Sequence, residues 1–464
     1  MSDRTPNGGR SWLRAGTLTL LTLTLFVGRA LAHGGSLRAA TPEQLAIPTW
    51  LFLLTGSGVI GASFLLASFV TNRAFIRSIH DWHRRLSVPR AALAAGALKL
   101  VGVLGLLAVL VVGFFGPQFP LGNLAILTVW VGWWAGYTIS VYLIGNTWET
   151  LNPWRTIAEV LPTVGATYPD RLGAWPSVGG LLALVWLEVV SPLADQADLL
   201  STVVLGYTIV TLAGAVFYTP DKWFSTVDPV SRVFTYYGRV APLRRTADGL
   251  KLRLPGSALE DTRFVDGPDE VAFVIALLWV TTYDGFVTTP AWTDLATWLV
   301  NLGVPALVLY SVALLAGFGL FLGAYRAATR RSIGFAETYL PAKTLATRFA
   351  PSLLAIAAGY HLAHFLGYFI SLSPALVTVA FSPLTPPANV PVIPLPSWFG
   401  GLNLTFVLLG HLVAIWVAHA TAYDLFPSRL QAIRSQYPYI AVMMFYTMVS
   451  LWIVAEPDLT PPFL

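Results

Sequence analysis

Of the 464 residues 55% are apolar and only 11% charged, against roughly 25% charged in an average soluble domain, and this excludes both an ordinary soluble enzyme and a disordered chain. With a mean hydropathy of +0.66, 17 Trp and 26 Phe, the composition fits a polytopic helical membrane protein. The absence of Cys excludes disulfides, thiolate metal sites and cysteine nucleophiles, and the formal net charge of +5 admits nucleic acid as a partner only until its distribution is read.

Residues 1–14 carry Arg4, Arg10 and Arg14, residues 15–28 are apolar, and Ala30-Leu31-Ala32 matches an A-x-A cleavage pattern. Residues 1–32 therefore read as a secretory signal peptide, with an uncleaved anchor helix as the alternative. Cleavage leaves His33 as the mature N-terminus, where amine and imidazole together chelate a divalent metal such as copper; the plain alternative is that a histidine stands there by chance. Residues 33–464 are expected to form one integral membrane domain.

Apolar segments of spanning length follow at about 47–70, 93–114, 124–144, 176–194, 199–219, 270–288, 302–325, 348–372, 400–422 and 438–455. The expectation is an all-α bundle of about ten transmembrane helices. With the mature N-terminus outside, the loops 71–91, 146–175, 220–269, 326–348 and 423–437 fall on the cytoplasmic side. They hold 22 of the 24 Lys and Arg that remain after the signal, as the positive-inside rule requires. The exceptions are Arg38 and Lys99. Against 22 Asp and Glu the mature formal charge is +2, so nucleic acid falls away and the lipid bilayer is the expected partner. The location implied is the plasma membrane, with both mature termini outside. The cytoplasmic loop 220–269 has the Gly and Pro punctuation of a small folded loop. The uncharged, Pro-rich outer loop 373–399 is expected to lie against the helices or in the interface. Asn152-Pro153 reads as the N-cap and first residue of an interfacial helix, with Trp148 and Trp154 in the aromatic belt.

Ionisable groups inside the hydrocarbon cost several kcal/mol by most scales, so those present should face the interior. They are Glu188, Asp284, His361, His364, His411 and His419. At 1.5 Å per residue, Glu188 and His361 lie about 18 to 20 Å from the cytoplasmic ends of their helices, Asp284 about 21 Å and His364 about 24 Å, with His411 about 17 Å in from the outer end. The first five can meet in the outer half of the bilayer. His361 and His364, three apart, project from one helix face. With His411 and one or two of the carboxylates Glu188 and Asp284 they make a ligand set for a divalent transition metal, zinc, copper or iron. The alternatives are helix-to-helix hydrogen bonding by neutral imidazoles and haem ligation. His419 reads as a helix-end cap, and His80 and His83 as solvated residues of the first cytoplasmic loop. No nucleophile elbow, H-E-x-x-H, Walker A loop or Rossmann fingerprint occurs.

AHGG followed by LAIPTWLFLLTGSGVIGASF, then LNPWR, WLEVVSP, YHLAHF, GHLVAIWVAHATAYDLF and AIRSQYPYIAVMMFYTMVSLW together resemble the multi-spanning fenitrothion hydrolase-like membrane proteins. The resemblance covers most of the mature chain, which departs from it in the insert at 241–269. It implies cleavage of apolar, organophosphate-type esters. A metal at His361, His364 and His411 then activates water, with Glu188 or Asp284 as ligand or general base, and the apolar substrate arrives laterally from the bilayer. Two other classes compete with this: copper-type metal or proton-coupled transport along a ladder from His33 to His419, and a non-catalytic membrane subunit.

Overall fold

The computed structural model describes residues 49–86, 91–246, 249–261, 264–396, 398–457 and 459–464. The expected signal peptide, His33 and Arg38 lie outside the described residues. Each of the ten apolar segments is helical: α1 Thr49–Ser68, α3 Ala91–Phe115, α4 Leu124–Leu143, α6 Trp175–Val190, α7 Ala197–Tyr218, α9 Pro268–Phe286, α11 Ala306–Ala336, α13 Leu353–Phe381, α14 Phe399–Leu425 and α15 Arg429–Ala455. Among the described residues seven helical stretches are long and apolar enough to cross a membrane, and up to nine if each of two bent pairs is one span. The ten expected spans thus become seven to nine. The 16-residue α6 falls short of spanning length, α1 bends by 120° into α2 (Arg73–Asp81), and α9 bends by 79° into α10 (Pro290–Asn301).

Large apolar side chains turn outward on these helices. Leu93, Leu104 and Phe115 of α3 and Ile209 and Val210 of α7 are all more than half exposed, a face suited to lipid. The centre belongs to α9, in which every residue from Val271 to Gly285 is buried. Its start is locally encoded: Pro268 occupies the first turn, where its missing N–H costs nothing, and Asp269 and Glu270 face the positive end of the helix dipole. Against α9 lie α6, α11 and α13.

Helices α13 and α14 cross with their backbones touching. A Cβ at Gly359 would stand 2.7 Å from Phe406 O and 2.9 Å from Gly410 Cα, so only glycine fits, the small-residue contact expected between membrane helices. Gly359→Ala is expected to destabilise the protein by about 1 to 3 kcal/mol, since the clash is with backbone that cannot rotate away. A melting temperature in detergent equal to wild type would refute the close crossing.

The basic loops gather at one end, as the charge pattern implies. Strands β1 (His83–Leu86), β2 (Leu243–Thr246) and β3 (Gly249–Arg253) form an antiparallel sheet in the order β1-β3-β2, which joins the first basic loop to the 241–269 insert. Arg85 pairs with Lys251 in register, as does Arg244. This like-charge cost is offset by Asp261, 3.7 Å from Arg239 and 3.8 Å from Arg244. Beyond β3 the chain turns at Gly256 (φ +78) and buries Ala258 and Leu259 against the bundle, with Gly256 seated on Val413. The loop 220–269 is therefore folded, with helical turns over Pro220–Lys222, Trp223–Val227 and Pro229–Tyr237 before the hairpin of β2 and β3.

Lys99, the exception to the charge pattern that falls among the described residues, reaches Glu159 with Nζ 2.6 Å from Oε2, a long stem spanning apolar surface to a polar end. Partial burial alone would raise the Glu159 pKa, but Lys99 and Arg155 outweigh it and hold the carboxyl below its ordinary 4.5. The sign follows: the pair stabilises the fold above pH 4.5 and loses this as pH falls through the lowered value. Lys99→Met is expected to lower the melting temperature at pH 7 and to converge on wild type at more acid pH. A difference independent of pH would argue against the pairing.

Two boundaries differ from the expected ones. Helix α13 continues through Pro374 to Phe381 because Leu372, Ala375 and Val379 bury their side chains there. Similarly, α15 starts at Arg429 and runs through Pro438. The chain after α13 folds back, with Ile393 N donating to Ser371 O and Ser371 Oγ donating to Ile393 O, so part of the Pro-rich loop lies against a helix as expected.

Candidate functional site

Asp284 stands in the last turn of α9, its side chain 9% exposed. Facing it, His364 of α13 places Nε2 3.6 Å from Asp284 Oδ2, within ion-pair range and longer than a hydrogen bond. The His364 ring is 27% exposed and stacks nearly parallel on Tyr360, with centroids 6.2 Å apart. His361, one turn earlier, is fully buried. Its Nδ1 lies 3.1 Å from the Tyr142 hydroxyl, and Trp134, Tyr142 and Tyr237 pack edge-on around the ring. His361 is within electrostatic reach of both His364 and Asp284. Three of the five groups whose depths matched are thus neighbours, supplied by two helices in contact.

The remaining candidates diverge from them. His411 is fully buried beside the Gly359–Gly410 crossing, but its Nδ1–H donates to Val407 O of its own helix at 2.8 Å, and Nε2 finds no hydrogen-bond partner among the described residues. Glu188, in the last turn of α6, lines a separate cavity. Tyr283 is within electrostatic reach of both Glu188 and Asp284. Among the described residues no group of three or more His, Asp or Glu is disposed to hold a metal ion. Among the described residues His361, His364 and His411 do not come together as the expected ligand set for zinc, copper or iron, and His33, the fourth candidate ligand, lies outside them. Equal depth brings helices to one layer, while the rotation of each helix about its axis decides where the rings point.

His419 is buried, and its Nε2–H donates to Val70 O at 2.9 Å while Nδ1 lies 3.3 Å from Gln436 Oε1. It satisfies a carbonyl beyond the end of α1, so it caps another helix than its own. Asp424 pairs with Arg348 at 2.6 Å and with Arg77 at 3.8 Å. His83 is exposed on β1, as expected of a solvated loop residue.

Asn152 caps α5 (Pro153–Ala158) by accepting from Arg155 N at 3.1 Å, as its sequence predicts. Trp148 and Trp154, however, are 4% and 9% exposed and donate to Ser231 and Thr208 hydroxyls. They belong to the interior and leave the aromatic belt. Sequence reasoning also missed Tyr142 and Tyr237 beside His361, and the widening of α4 into a π-helix over Leu127–Tyr137. Such segments are rare and frequent at functional sites. The only signal was the aromatic density of WVGWWAGY. No family model, curated protein or solved structure matches this chain.

Proposed function

We propose that this is a multi-spanning membrane enzyme that hydrolyses an apolar ester reaching it from the bilayer, with Asp284 and His364 as an orienting carboxylate and general base. The observation that carries this reading is the 3.6 Å approach of Asp284 Oδ2 to His364 Nε2, with the imidazole still partly accessible. A carboxylate on Nε2–H orients the ring and leaves Nδ1 to accept a proton from water. The hydroxide forms the new bond to phosphorus or carbon, the ester oxygen leaves with its electron pair, and the proton on Nδ1 returns to that oxygen. These steps use only the two side chains and water. The resemblance to fenitrothion hydrolase-like proteins points to aryl phosphotriesters as the first substrates to try. The basic end, rich in Arg, faces the cytoplasm in this reading, in the plasma membrane.

The test is release of the phenol from a neutral aryl phosphotriester by the purified protein in liposomes. Turnover insensitive to a metal chelator is expected; turnover abolished by the chelator and restored by zinc, copper or iron would overturn the metal-free mechanism, and absence of turnover across neutral esters would overturn the enzyme.

A second reading, proton-coupled transport, is favoured by one observation. A polar cavity of about 490 Å³ at the basic end, lined by Arg73, Arg77, Asp81, Arg348 and Asp424, reaches Ala420 and Thr421 beside the buried His419. Proton uptake into liposomes without ester hydrolysis would select it. Single His substitutions that alter stability alone would select a non-catalytic subunit.

A further inference from the structure

A cavity of about 390 Å³ lies between α3, α4, α6 and α7. Five of the protein's 17 Trp line it, Trp130, Trp133, Trp134, Trp148 and Trp154. The first three come from the π-helical part of α4, whose wider turn brings neighbouring indoles to one space. Val101, on the wall, is 59% exposed on α3, so the cavity meets the apolar face that the bundle turns outward. Trp134 is also the wall toward the candidate site, its ring centroid 5.5 Å from that of His361.

Most polar groups of this wall are already engaged within the protein. Trp148 and Trp154 donate to Ser231 and Thr208 hydroxyls, the Tyr137 hydroxyl lies 3.1 Å from that of Thr147, and Tyr207 donates to Asp228. The Nε1 atoms of Trp130 and Trp133 are buried out of contact with the cavity. Glu188, the one Asp or Glu among the described lining residues, has its own interaction within the protein, and no Lys, Arg or His is among them. A charged or strongly hydrogen-bonding ligand would lose its solvation here without replacement. An apolar one restores the contacts that lining atoms lack on their open side, and an aromatic one gains further from edge-on or offset packing against indole rings, beyond the area it buries. An apolar cavity of about 150 Å³ holds benzene, so this one has room for about two to four fused rings. We infer that the cavity binds a neutral polycyclic aromatic molecule that enters from the bilayer. The inference does not rest on ester hydrolysis, since the ligand carries no ester.

The test is titration of the detergent-purified full chain with pyrene, read by energy transfer from tryptophan. Its charged derivatives 1-pyrenesulfonate and 1-pyrenemethylammonium are titrated beside it, and the saturated hexadecahydropyrene is added as competitor. Saturable binding of pyrene is expected, with both charged derivatives at least about tenfold weaker and the saturated ring system about two- to tenfold weaker. A Cβ at Gly105, which lines the cavity, would meet no atom within 4 Å. Gly105→Phe is therefore expected to fold and to abolish saturable binding. Trp130→Leu, which removes one indole from the wall, is expected to weaken pyrene about two- to tenfold, a control that stands if the Gly105 variant fails to fold. A charged derivative that binds within tenfold of pyrene overturns the neutral preference, and a saturated competitor as potent as pyrene overturns the aromatic one. Absence of saturable pyrene binding, or binding unaltered in the folded variants, overturns the site.

Discussion

Asp284→Asn is expected to lower the turnover of an aryl phosphotriester by about 10² to 10⁴-fold, the range for loss of general-base function, with KM little changed. Asparagine keeps the size of the side chain and removes its charge, so the ring of His364 remains in place and loses what orients its Nε2–H and stabilises its protonated form. His364→Ala is expected to fall by a similar factor, and the double variant little further, because groups acting as one unit give non-additive losses. The partial exposure of His364 beside the nearly buried Asp284 is what separates this from a structural ion pair: a structural pair lowers the melting temperature and leaves turnover per folded molecule intact. Turnover retained in folded Asp284→Asn would remove the pair from the reaction.

The sequence disclosed what depends on one dimension. Runs of about twenty apolar residues, and the gathering of Lys and Arg into alternate loops, placed the helices and the basic end, because the bilayer constrains length and charge along the chain. Depth along a helix likewise placed Glu188, Asp284, His361, His364 and His411 in one layer. Rotation and neighbours are not written there. Gly410 is turned to Gly359, and the adjacent His411 satisfies its own helix through Val407, which withdraws it from the group it matches in depth. The Tyr142 contact with His361 joins residues 219 apart, beyond any local pattern. Pro374 and Pro438, residues that ordinarily interrupt a helix, sit inside helices because their neighbours are buried. Residues 290–301 fall between two expected spans and form α10, which Thr289 caps by accepting from Trp292 N at 3.2 Å. A cap followed by Pro290 is a local signal that could have been found.

Arg232→Met is expected to cost about 3 to 5 kcal/mol, the penalty for leaving the partner of a buried ion pair uncompensated. Arg232, in α8 (Pro229–Tyr237), pairs with Glu270 in the first turn of α9, with side chains 5% and 15% exposed. Its guanidinium also donates to Ser225 O at 2.8 Å and to the Tyr236 hydroxyl at 2.9 Å, and lies over the Phe273 ring at 4.8 Å. Tyr236 in turn donates to Glu270, so removing the arginine leaves a carboxylate with one neutral donor. Replacing both charges, Arg232→Met with Glu270→Leu, is expected to cost less than Arg232→Met alone, because no buried charge then remains; the losses at Ser225 and Tyr236 keep it from being neutral, at about 1 kcal/mol for each hydrogen bond. Unfolding in mixed detergent micelles measures the double variant and the two single ones, Arg232→Met and Glu270→Leu, and a double variant equal to the sum of the single ones would deny the coupling. The pair also fixes the end of α9 opposite the candidate site. Asp284 lies 14 residues from Glu270, about 21 Å along one buried helix. Turnover per folded molecule that falls in the single variant and recovers in the double would show that this anchor holds Asp284 against His364.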